Sequence, residues 1–276
     1  MRRACAVVLV LLSLAIAVSG CGKDGSTIAA WFGATDKPQP APVTIDVLCD
    51  PSSGSTCTAE ALRQEVERVL RRAVERPGSV VRLWMQGQNI ETTRMIAWNK
   101  SPARRASGRH ARADAENRWV AKESVALCAA AGAVRKRIRR SPIAEAVAVT
   151  ALAQPPMAGA REIIAITDAL EMSKFGQFEC GRLPKPEAFA RSLAKHRVLQ
   201  PGSLRGVDIT FCHVDLGAID GGRCAVSLTR AAEIRAIWTA AFTAAGASHV
   251  EIRQGGLVSE ITTGKETNNV QTIQSK

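Results

Sequence analysis

The sequence predicts an α/β fold: a Rossmann-like, doubly wound, mostly parallel sheet with one antiparallel edge strand. Three observations carry this. Short apolar runs alternate with stretches whose apolar residues recur every 3.6 positions, in the order β-α-β-β-α-α-β-α-β-α-β. Hydrophobic residues make up 46% and charged residues 22% of the 276, which fits a globular domain and excludes a disordered, collagen-like or multi-span membrane chain. The alternating stretch, residues 43–256, is long enough for one such domain and no second.

Val43 to Asp50 alternates, with Val43, Ile45, Val47 and Cys49 on one face, and reads as the first strand. Thr58 then caps a helix whose inward positions are Leu62, Val66, Val69, Leu70, Ala73 and Val74, stopped by Pro77-Gly78. Ser79 to Gln88 and Thr92 to Asn99 read as a hairpin joined by a tight Gln-Asn turn. Ser101 to Arg112 is polar and reads as a loop, followed by an Ala-rich helix from Asp114 to about Ile138. Ser141-Pro142 predicts a second helix start, Ser at the cap and Pro at the first position, running to about Ala153. Arg161 to Asp168 is a short apolar run of the kind buried on both faces of a parallel sheet. A helix from about Glu187 to His196 and a strand from Val207 to Val214 follow. Thr229 caps the last helix, with Ile234, Ile237, Trp238, Ala241, Phe242 and Ala245 inward and Gly246 closing it. His249 to Arg253 is a final strand, and 257–276 a polar tail.

The N-terminus reads as an address. Arg2 and Arg3 precede an apolar run, Ala4 to Val18, too short to span a bilayer as a helix. Val18-Ser19-Gly20-Cys21 resembles the bacterial lipobox, which implies a signal peptide at 1–20 and a lipid on the thiol of Cys21. The resemblance places the protein in a bacterial cell envelope, on the outer membrane where the cell has one, because Gly22 rather than Asp follows. Residues 21–42, rich in Gly and Pro, then form a flexible tether. Six cysteines remain for an oxidising compartment, with no Cys-x-x-Cys among them, so structural disulfides are the expected use.

In an open parallel sheet, ligands bind beyond the carboxyl ends of the strands, where the strand order switches. The first strand runs into Asp50-Pro-Ser-Ser-Gly-Ser55, a later one ends in Thr167-Asp168, and Ser141 opens a helix between them. Together with the element order, these segments resemble the von Willebrand factor A (vWA) domain and its metal-ion-dependent adhesion site. The resemblance implies Mg2+ or Mn2+ held by Asp50, Ser52, Ser55, Ser141 and Asp168, since a hard cation takes about six oxygens. It leaves one position for a partner's carboxylate. Strict spacing puts Gly54 where the second serine belongs, so Ser55 serves only if Ser53 is an inserted residue. In such a fold Cys180 pairs with Cys224, with Cys212 as the competing partner, and Cys49–Cys57 brackets the Ser-rich loop.

No P-loop, GxGxxG, HExxH or G-x-S-x-G occurs. Ser52, His213 and Asp215 are the only basis for a hydrolase, and His213 reads as a packed strand residue. From Lys100 to Arg140 there are twelve basic residues against three acids, a net of +9 out of +12 for the chain. Arg104, Arg105, Arg109, Arg112, Arg135, Lys136, Arg137, Arg139 and Arg140 are the candidates for an anionic partner, protein or cell-envelope polymer. Arg139 and Arg140 put positive charge beside Ser141, which opposes a cation and favours an acidic partner. Aromatics at 4%, with no Tyr, argue against stacking on nucleic acid. The expected function is a lipid-anchored vWA-like binding module, not an enzyme. The alternatives are an envelope assembly component with a non-functional metal site, and an α/β hydrolase.

Overall fold

β1 (Val43–Cys49) is buried along its whole length, as a central parallel strand must be. Val43, Ile45, Val47 and Cys49 face one layer of helices and Leu48 the other. In the computed structural model, residues 40–52, 56–102, 108–136, 138–154, 159–214 and 227–255 are described. The signal segment, most of the tether with Cys21, the tail, Ser55, Arg104, Arg105, Arg137, Asp215 and Cys224 lie outside them.

The remaining elements are α1 (Ala59–Glu75), β2 (Val80–Met85), β3 (Arg94–Lys100), α2 (Arg109–Val134), α3 (Ile143–Leu152), β4 (Ala160–Ile166), α4 (Pro186–Lys195), β5 (Val207–Cys212), α5 (Leu228–Ala244) and β6 (His249–Ile252). One six-stranded sheet has the order β3-β2-β1-β4-β5-β6. All neighbours are parallel except β2 with β3, so the antiparallel strand is an edge. The direction of winding reverses between β1 and β4, the switch point of a doubly wound sheet. α1 and α2 cover one face of the sheet through Leu62, Val66, Val69, Leu70, Val120 and Leu127. α3, α4 and α5 cover the other, around Trp238 and its ring contacts with Phe178, Phe189, Phe211 and Phe242. Among the described residues no helix is long and apolar enough to cross a membrane.

Several boundaries differ from the sequence reading, each for a local reason. The hairpin connection is not a tight turn but runs from Gln86 to Thr93. Asn89 and Thr92 bond each other's side chains and backbone, which takes those residues out of the ladder. α2 begins at Arg109 and ends at Val134, so Arg109 and Arg112 belong to a helix rather than a loop. Ser227, not Thr229, caps α5, its hydroxyl accepting from Arg230 N at 3.2 Å. Ser141 does not cap α3, because its hydroxyl is committed elsewhere.

One buried network spans the α3 layer. Asp46, fully buried in β1, accepts from Arg82 Nε at 2.6 Å and Nη2 at 2.8 Å, from Trp84 Nε1 at 2.8 Å and from Arg161 Nε at 3.0 Å. The same two guanidinium groups donate to the last carbonyls of α3 and just beyond it. Arg161 reaches Thr150 and Ala151, and Arg82 reaches Gln154 at 2.9 Å. Two cations at the negative end of the α3 dipole, neutralised by one carboxylate behind them, tie that helix to the sheet.

Candidate functional site

Asp50 follows β1, and Thr167 and Asp168 follow β4, so the switch point brings them to one place. The strand-end pairing continues into the loop, where Asp50 N donates to Ile166 O at 3.2 Å. Asp50 is a hub. Its Oδ1 accepts from Ser52 N at 2.9 Å and from Gln86 Nε2 at 3.1 Å. Its Oδ2 accepts from Ser141 Oγ at 2.6 Å and Thr167 Oγ1 at 3.0 Å. A carboxylate offers about four lone-pair directions, and these four donors meet them.

Ser141 is placed by the chain turning into α3, and Gln86 Nε2 also donates to its Oγ at 3.1 Å. Asp168 is turned inward by its own loop: Leu170 N donates to its Oδ1 at 2.9 Å, and the next residue, Ala169, takes a φ of 63°. Trp238 Nε1 holds the Ala169 carbonyl at 2.9 Å, which fixes that left-handed turn against the core. Burial pushes the Asp168 carboxyl up to about 8, with the Asp50 carboxylate next in effect. Burial also raises Asp50, against the lowering effect of its hydrogen bonds from Ser141, Ser52 and Thr167. Glu171, three residues further on, is fully buried and pushed up to about 8 by that burial, while Ala144 N at the start of α3 donates to its Oε2 at 3.0 Å.

The structure thus gathers Asp50, Ser52, Ser141 and Asp168, while Ser55 lies outside the described residues. Two members were missed by sequence reasoning. Thr167 had a signal, since it precedes Asp168 at the end of a central strand. Gln86 had one only in hindsight of topology, as the residue that follows β2 next to β1. Gln86 Oε1 is buried with no hydrogen-bond partner among the described residues. No cluster of three or more His, Cys, Asp or Glu that could hold a metal occurs among the described residues, so any cation here rests largely on hydroxyls.

The loop carrying Asp50 is closed by a disulfide, Cys49–Cys57, with Cα atoms 5.8 Å apart. Cys180 is in a disulfide whose partner lies outside the described residues. Cys212 is a buried free thiol pushed up to about 12 by burial, which corrects its candidacy as partner of Cys180. Its side chain faces the α1 layer, away from the loop that carries Cys180.

The basic residues divide. Arg135 is committed to the fold, donating to the Cys57 carbonyl. Lys136, Arg139 and Arg140 are exposed, and neither Arg139 nor Arg140 pairs with Asp50 or Asp168 among the described residues. His213 is not a packed strand residue. It lies past β5 at a φ of 60°, with Nε2 2.9 Å from Oε1 of the fully buried Glu65 on α1.

No protein-family model and no curated protein matches the chain. Among solved structures it is similar to an aerotolerance-related membrane protein from Bacteroides fragilis NCTC 9343 carrying multiple mutations to serine. That match has 14% identity and a TM-score of 0.42, over 76% of this chain and 90% of that one. It is also similar to the conserved hypothetical protein BatB from Bacteroides thetaiotaomicron, at 14% identity and a TM-score of 0.37, over 78% of this chain and 91% of that one.

Proposed function

We propose that the chain is a lipid-anchored, extracytoplasmic vWA-like binding module and not an enzyme, which grips a partner through the loops at the carboxyl ends of its strands. The observation that carries this is the convergence of Asp50, Ser52, Ser141, Thr167 and Asp168 at the switch point of the sheet. The donor set suits Mg2+ or Mn2+, being all hard oxygen. With their protons given to Asp50 and one lone pair taken by Gln86 Nε2 and by Ala169 N respectively, the Ser141 and Thr167 hydroxyls each keep one lone pair for a cation. The unmet Gln86 Oε1 would suit a cation-bound water. Asp50 would orient the hydroxyls, Asp168 would supply compensating charge, and the ion would polarise an acidic group of the partner. The sequence at 1–21 supports the envelope location and the lipid on Cys21.

A second reading has its own support. All four hydrogen-bond directions of Asp50 are met from within the chain, and Gly54 stands where the second serine belongs. On that reading the same surface serves an envelope assembly without a metal.

Thermal unfolding of the full chain with millimolar Mg2+ or Mn2+ separates the two. A cation bound to the native state at a hundred times its Kd adds about 2.7 kcal/mol. The melting temperature should rise, and the rise should vanish in Asp168→Ala. A flat titration with a destabilised Asp168→Ala decides for the metal-free assembly role. Capture of envelope proteins with and without EDTA then tests the partner directly.

A further inference from the structure

Two clefts flank the β2–β3 connection. One, of about 720 Å3, lies between that connection and the end of α2; the other, of about 180 Å3, lies between it and the start of α3. Gln88 and Asn89 line both, so the tip of the connection is the wall that the two clefts share. We infer that together they form a groove for an acidic, extended peptide segment of a partner protein. The inference goes beyond the proposed metal-assisted contact, because the groove runs beside Asp50 and Asp168 without using either.

Charge is the first argument. Arg94 and Lys136 line the larger cleft, and Arg140 and Lys174 the smaller. Lys174 is 3.8 Å from Glu145, but Arg94, Lys136 and Arg140 are exposed and make no ion pair among the described residues. Only Glu91 remains against these three. Their neighbour Arg135 shows the contrast, since its guanidinium serves the fold at the Cys57 carbonyl.

The second argument is the kind of group beside the charges. Gln88, exposed at the loop tip, carries an amide that donates and accepts as a peptide backbone does, and the amide N–H groups of Asn89 beside it can donate, its Oδ1 being taken by Thr92. Ile90, 44% exposed next to them, offers an apolar contact. Among the described residues no aromatic lines either cleft, and these offer no platform on which a base or a sugar would stack. Carboxylate-bearing side chains on an extended backbone match all three features.

The test is fluorescence polarisation of the full chain with a labelled eight-residue peptide of alternating Glu and Ser, against the same peptide with Gln for Glu. The Glu peptide should bind and the Gln peptide should not. Lys136→Glu and Arg140→Glu should each weaken binding by about fivefold or more, and Arg118→Glu, exposed on the flank of α2, by less than about twofold. Binding should persist in EDTA and in Asp168→Ala. Equal losses in Arg118→Glu and Lys136→Glu, or equal binding of the Gln peptide, would overturn the groove. Loss in EDTA would also overturn it, moving the acidic contact to the Asp50–Asp168 site and leaving the metal reading standing.

Discussion

Removing the Asp46 carboxylate should be among the most destabilising single changes in the domain. Asp46 is fully buried and is the shared acceptor for two guanidinium groups, which are themselves only 6% and 7% exposed. Truncating one partner of a buried ion pair costs about 3–5 kcal/mol, because the other charge is left without compensation. Here two cations lose it at once. The loss is partly offset, since Arg82 and Arg161 keep their bonds to the α3 carbonyls. We therefore expect Asp46→Ala to cost about 4 kcal/mol, or about 8–16 °C in melting temperature for a domain of this size. Asp46→Asn, which keeps an acceptor but not the charge, should fall between it and the wild type. The control is Glu162→Ala. It breaks the Arg72–Glu162 pair, whose side chains are 29% and 15% exposed, and should cost about 1 kcal/mol. Urea denaturation of the three variants measures all of this. A cost below about 1 kcal/mol for Asp46→Ala would refute the reasoning, and would mean that the guanidinium groups are held mainly by the helix end.

Glu171 should make stability depend on pH. Its carboxyl is raised from 4.5 to about 8 by burial, so the native state keeps a proton that the unfolded chain gives up. The benefit is full below pH 4.5 and is lost as pH rises to about 8, at about 1.4 kcal/mol per unit. Glu171→Gln should lower the slope, leaving the share of Asp168, which burial also raises to about 8, and be the more stable protein at pH 8; parallel slopes for the two would sink the idea. Cys49→Ser with Cys57→Ser should cost about 2.5 kcal/mol, since the bridge closes a short loop of sequence separation 8. The same double variant should weaken any Mg2+-induced rise in melting temperature, because the loop carries Asp50 and Ser52; an unchanged rise would show the loop holds itself. Cys21→Ser should abolish labelling by a fatty-acid probe, and normal labelling would end the lipoprotein reading.

What was legible follows from what periodicity encodes. A continuous apolar run such as Ile163–Ile166 or an inward stripe such as Ile234–Ala241 leaves little choice of element, and the order of elements then implies the doubly wound sheet. Asp50 and Asp168 were legible as strand-end carboxylates for the same reason. Side-chain commitments were not. Ser141 before Pro142 has the local signature of a helix cap, but a buried carboxylate 2.6 Å away is a stronger acceptor for its hydroxyl than the first turn is a donor to it. Gln86 and the Asp46 network depend on which strands become neighbours, and neighbours such as β1 and β4 are separated by more than a hundred residues. No local pattern carries that. Arg82 and Arg161, each inside a strand, look in sequence like solvent-facing positions.

The basic block between Lys100 and Arg140 shows how a topology redistributes a sequence feature. In sequence it is one cluster with a net charge of +9. In the fold α2 runs through the middle of it, and a helix of 26 residues is about 39 Å long. Lys100 pairs with Val80 at the end of the sheet where β1 begins. Ile138, beyond the other end of α2, bridges Ser52 at the opposite end of β1, beside the candidate site. Arg112 and Lys136 therefore stand at opposite poles of the domain. At an ionic strength of 0.15 M, screening acts within about 8 Å, so the two groups exert separate fields. The first group also sits at the positive end of the α2 dipole, where no acid occupies the first turn, so its charge works against the helix rather than for it. Only the second group borders the switch point and the groove beside it. A partner recognised at the proposed site would meet Lys136, Arg139 and Arg140 and not Arg112, and charge reversals at the two ends of α2 should have independent effects on its binding.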